Sequence, residues 1–115
     1  MELDSGRELL VHLFHIIFVG GIFLYFGITR TNNNKYLLHS LFYLGLIIIL
    51  YHIYKTYSYM TKGKNYWVNL IHILIIGPLL MYIGYYGEKT PRLYFEILLM
   101  LGFASIGYHS YYSIF

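Results

Sequence analysis

Hydrophobic letters run through this chain in four long blocks, separated by three short polar breaks. The blocks extend from about Leu9 to Ile28, Tyr36 to Tyr54, Tyr66 to Tyr86 and Arg92 to Tyr112. Each is close to the roughly 20 residues that an α-helix needs to cross about 30 Å of hydrocarbon. The breaks fall at Thr29 to Lys35, Lys55 to Asn65 and Gly87 to Pro91. Asn34 and Thr90 stand where they can cap the second and fourth helices, and Pro91 fits a first helical position, where its missing N–H costs nothing. Ser5 followed by Glu8 reads as a capping box that starts the first helix. Short connections make successive helices antiparallel neighbours. The pattern therefore predicts an all-α fold, a four-helix transmembrane bundle running up-down-up-down.

The blocks are not independent. Shifted by 57 positions, the chain matches itself without a gap: His15 on His72, Gly20 on Gly77, Tyr25 on Tyr82 and Gly27 on Gly84. In the same register Gly45 falls on Gly102, Tyr51 on Tyr108, His52 on His109 and Tyr54 on Tyr111. Leucine coincides easily in an apolar chain; histidine, glycine and tyrosine do not. The expectation is a tandem repeat of one helical hairpin, residues 1–57 and 58–115 of a single transmembrane domain. A hairpin crosses the membrane twice, so both copies enter from one side and are related by a pseudo-twofold axis along the membrane normal. Pro78 falls where the first copy has Gly21, and both can loosen the backbone at mid-span, with a kink expected at the proline.

Composition agrees with the pattern. Of 115 residues 58% are hydrophobic and 11% charged, with a mean hydropathy of +0.57; a soluble domain carries about 25% charged residues. The lipid bilayer is thus the first expected partner, and localisation as a multi-pass integral membrane protein follows. A formal charge of +3 excludes a nucleic-acid surface. The absence of cysteine removes disulfides, thiolate metal sites and thiol redox chemistry. The acidic start, Glu2 and Asp4, is unlike a signal peptide, so the first block reads as a retained span. Lys and Arg divide evenly, with Arg7, Lys55, Lys62 and Lys64 on the side of the termini and Arg30, Lys35, Lys89 and Arg92 on the other. That balance sets no orientation, and it leaves a homodimer open. Trp67 and the tyrosines near the block ends are placed as interfacial anchors.

Chemistry is concentrated in the histidines. His15 and His52 lie towards one face of the membrane, and the repeat places His72 and His109 at matching depth, giving four imidazoles in two symmetric pairs. As ligands they can hold a haem b axially or surround a transition metal such as Zn²⁺ or Cu²⁺. The glycines beside them (Gly20, Gly77, Gly45, Gly102) would leave room for a flat macrocycle. The competing reading is close helix packing, with the rings hydrogen-bonding between helices. His12 extends the cluster one turn outward, where the second copy has Asn69. Covalent haem is excluded, because no C-x-x-C-H occurs.

A second reading is a proton or ion conduit. It joins the four histidines to His39 and Glu96, repeat equivalents near the opposite face, with Tyr51 and Tyr108 as intermediate hydroxyls. Glu96 also has a local partner within reach, Arg92 one turn earlier. Apolar runs at 46–50 and 73–76 stand against a wet path, and no TVGYG filter is present. The third reading is structural, a small multi-pass scaffold that organises a lipid bilayer or seats a partner. Almost no extramembrane chain remains to house an enzyme site, and nucleotide and acyl-transfer motifs are absent.

The stretches Trp67-Val68-Asn69-Leu70-Ile71-His72-Ile73 and Tyr94 through His109 resemble small uncharacterised multi-pass membrane proteins of giant DNA viruses. The resemblance implies a viral or host-cell membrane setting and carries no activity or site residues. The functional expectation is non-covalent binding of a haem or transition metal by His15, His52, His72 and His109, for electron transfer or sensing, with the conduit and the scaffold as alternatives.

Overall fold

The computed structural model describes residues 5–115, with side chains from Glu8 onward. The acidic residues Glu2 and Asp4 and the Ser5 side chain of the expected capping box lie outside what is described. Four long helices account for nearly all of the described chain, and no strand occurs among the described residues. Helix α1 covers residues 5–29, α2 is Lys35–Thr61, α3 covers residues 67–86 and α4 is Arg92–Ile114. The helical runs Glu8–Thr29, Lys35–Thr61, Trp67–Lys89 (α3 with the 3-10 turn that follows it) and Arg92–Ile114 span 22, 27, 23 and 23 residues, each long and apolar enough to cross a membrane. Their outward faces carry apolar side chains such as Leu10, Ile17, Leu74 and Met100. That much exposed apolar surface suits hydrocarbon and not water.

The helix ends follow local chemistry. Asn34 caps α2 as expected, its side-chain oxygen accepting from the Tyr36 N–H at 2.7 Å. Thr90 does not cap α4; its hydroxyl turns back to donate to the Ile83 carbonyl, and Pro91 occupies the N-cap position. Helix α2 continues to Thr61, past the apolar block that ended near Tyr54. No glycine or proline interrupts residues 55–61, and the helix stops just before Gly63, at φ +69°. Hydropathy located the span, whereas backbone propensity decides where the helix ends.

The chain forms two compact units: residues 1–30 with 91–115, and residues 31–90. Unit one therefore pairs α1 with α4, and unit two pairs α2 with α3. The expected repeat unit is the hairpin of α1 with α2; each compact unit joins one helix from residues 1–57 to one from residues 58–115. In each unit the helices run antiparallel and meet at glycines. A Cβ on Gly20 would lie 2.6 Å from Ile106, and one on Gly27 would lie 2.8 Å from Leu99. In unit two Gly77 meets Ile49 and Gly84 meets the backbone of Phe42 in the same way. These contacts correspond at an offset of 57, as do the buried positions Phe23 and Leu80, Phe26 and Ile83, Leu38 and Phe95, Leu41 and Leu98.

Both first helices are interrupted by a π-helical turn, His15–Val19 in α1 and His72–Ile76 in α3. The Gly20 and Gly77 N–H groups reach back five residues, to the carbonyls of His15 and His72. In a regular α-helix the Pro78 ring would strike the carbonyl four residues earlier, and the wider turn before it gives relief. Helix α1 makes the same turn with Gly21 in place of proline, so proline is not its sole cause. Beyond the helices, Arg30 and Gly87 adopt nearly one backbone conformation, φ/ψ 52°/−122° and 54°/−121°.

Candidate functional site

The π turns begin at histidines, and this sets how the rings point. His15 Nδ1 lies 2.8 Å from the Val11 carbonyl, and His72 Nδ1 lies 2.8 Å from the Val68 carbonyl. A carbonyl oxygen only accepts, so in both rings Nδ1 carries a hydrogen and donates it. From the partner helix of unit one comes His109, whose ring stacks on His15 with centroids 4.3 Å apart and planes 25° from parallel. In unit two His52 stacks on His72 at 4.0 Å and 18°. The four histidines singled out from the sequence are thus joined as two couples, one per unit. Each couple draws one ring from residues 1–57 and one from residues 58–115.

A second contact locks each couple. In unit two, His52 Nδ1–H donates to Asn69 Oδ1 at 2.7 Å, and Asn69 is buried. In unit one the matching positions are His109 and His12, whose Nδ1 atoms lie 2.8 Å apart. His109 is the buried member there. His12 and Asn69 were not chosen as site residues from the sequence. The signal was present, since they are, with His39 and Glu96, one of two polar pairs that mismatch at a histidine in a register that repeats the other four histidines.

The space beside the couples is filled. Glycines expected to make room for a macrocycle instead admit neighbouring side chains: Ile106 at Gly20, Ile49 at Gly77, Met81 at Gly45, and Phe23 with Leu24 at Gly102. Face-to-face rings at 4.0–4.3 Å are in van der Waals contact, so a macrocycle between them requires the couple to part. Among the described residues, no three His, Asp, Glu or Cys side chains gather in a set able to hold a metal ion.

The remaining expected residues are placed elsewhere. In unit one, Arg92 Nε donates to Glu96 Oε2 at 3.0 Å, an exposed pair one helical turn apart. Such pairs contribute little to stability, and this one gives Glu96 the local role that its spacing from Arg92 allowed. His39, in unit two, donates from Nδ1 to the Gly84 carbonyl at 2.6 Å. Its ring rests on Gly87, where a Cβ would fall 2.5 Å from Cε1. Tyr51 and Tyr108 each touch the adjacent histidine edge to face, at 5.1 Å. Tyr51 is exposed. No protein-family model, curated protein or solved structure matches the chain significantly.

Proposed function

We propose that this is a multi-pass membrane protein that binds protons at two imidazole couples, and that its two units descend from one duplicated hairpin. The carrying observation is the stacking of His52 on His72 and of His15 on His109, within helices whose most apolar 18-residue windows hold at most two Asp, Glu, Lys or Arg. An ionisable side chain at membrane depth is costly and marks function by default, and imidazole is the side chain whose charge changes near neutral pH. One proton per couple is the natural load, because a second would set two unit charges about 4 Å apart in a poorly screened setting.

The arrangement favours a proton-binding centre over an open conduit. Within unit two, 13 residues separate His39 from His52 along α2, a rise of about 20 Å. The interval is closed by Gly45 against Met81 and by Ile49 against Gly77, contacts too tight for a water file. The protein then serves to sense protons, or to couple their uptake to a change in helix packing.

Nitrogen NMR of ¹⁵N-histidine protein in bilayers tests this. On acidification one imidazolium should form per couple, and His72→Ala or His15→Ala should each remove one of the two. Rings that never charge would leave only a scaffold. A Soret band or stoichiometric metal, lost in the same variants, would replace proton binding with ligation.

A further inference from the structure

The two couples are built alike, yet the atom that holds the buried end of each differs in kind. In unit two, Asn69 Oδ1 faces His52 Nδ1 at 2.7 Å. An amide oxygen accepts and has no proton to return. His52 is therefore fixed with its hydrogen on Nδ1, and it can gain or lose a proton only at Nε2. In unit one the partner of His109 Nδ1 is another imidazole nitrogen, His12 Nδ1, at 2.8 Å. Two ring nitrogens at that distance share one hydrogen, and either ring can own it.

We infer that the His12–His109 link is a proton relay, so that unit one passes protons between two imidazoles while unit two only holds them. The inference rests on the couples being proton-binding centres. The transfer balances as follows. A proton arriving at His12 Nε2 makes His12 an imidazolium. Its Nδ1 hydrogen crosses to His109 Nδ1, leaving His12 neutral and His109 charged. One proton enters, no covalent heavy-atom bond changes, and the charge has moved from the half-exposed ring to the buried one. His109 is buried whereas His12 is half-exposed, so the relay leads from the accessible ring to the ring stacked on His15. His12 is on this view a relay residue, and Asn69 is its arrested counterpart.

Because the two positions correspond at an offset of 57, each unit supplies the control for the other. The decisive experiment is ¹⁵N NMR of the full-length protein in bilayers. In the wild type a nitrogen–nitrogen coupling across the hydrogen bond should link His12 to His109. His109 Nδ1 should resonate between the protonated and bare limits, while His52 Nδ1 stays at the protonated limit. His12→Asn should lock His109 at that limit, and Asn69→His should release His52 from it. Both substitutions install the side chain that the other unit already accommodates, and the wild-type measurement stands even without them. A His109 Nδ1 found at one limit in the wild type, or resonances that fail to exchange behaviour on the swap, would overturn the relay. Failure of the couples to charge on acidification would instead sink the broader proton-binding reading, and the coupling across the hydrogen bond would still be measurable.

Discussion

Glycine at position 84 and glycine at position 107 look interchangeable in the sequence, both lying inside apolar helices. Their surroundings separate them. A Cβ on Gly84 would run into the backbone of Phe42, which cannot move without shifting α2, whereas a Cβ on Gly107 meets nothing within 4 Å. Gly84→Ala should therefore destabilise the protein by about 1–3 kcal/mol through overpacking. Gly107→Ala should stabilise it by up to about 1 kcal/mol, as alanine does in a helix interior. Thermal unfolding in one detergent reads both. The same comparison shows what was legible at this scale. The recurrence of Gly20 and Gly27 at Gly77 and Gly84 flagged the contact positions, but spacing could not tell whether the room they leave holds a ligand or the next helix. Ile106, Ile49 and Met81 fill it. Histidine identity was equally plain in the sequence. Which nitrogen bears the hydrogen was not, because that depends on a carbonyl or amide brought up by folding.

Among the elements, helix existence followed from hydropathy and helix ends did not. The Asn34 cap was readable because side-chain capping is local, and Asn34→Ala should cost about 1 kcal/mol, measured by the same unfolding transition. Thr90 has the right residue type beside Pro91, yet its hydroxyl is taken by Ile83 of the preceding helix, a tertiary preference that no cap rule contains. The π turns were anticipated only as loosened backbone at Gly21 and Pro78. An extra residue in a helical turn leaves no hydrophobic signature, since period and composition are preserved on both sides. Its effect is nonetheless decisive for the histidines, because it opens at His15 and His72, the rings that stack on His109 and His52.

At the scale of the whole molecule, the even number of spans makes a plain prediction about sidedness. The chain contains no cysteine, so single introduced cysteines report cleanly. Cysteines at Asn32 and Glu88 should react with an impermeant maleimide from one side of a sealed vesicle, and those at Lys64 and Ser113 from the other. All four labelling from one side would contradict four membrane crossings. The partition into α1 with α4 and α2 with α3 lay beyond the sequence reading. Short loops argue for sequential neighbours, and only the interlocking of particular glycines with particular aliphatic side chains selects which helices pack closely.

That partition has a consequence for biosynthesis. Residues 31–90 form one uninterrupted stretch that carries all of its own unit, so its two helices can join as soon as both have left the ribosome. The other unit draws on opposite ends of the chain, and its first helix must wait in the bilayer until the last one is made. A nascent chain halted after Thr90 would thus carry a finished His52–His72 couple while His109, the stacking partner of His15, was still to be made. The two centres would mature in a set order, the holding one before the relaying one.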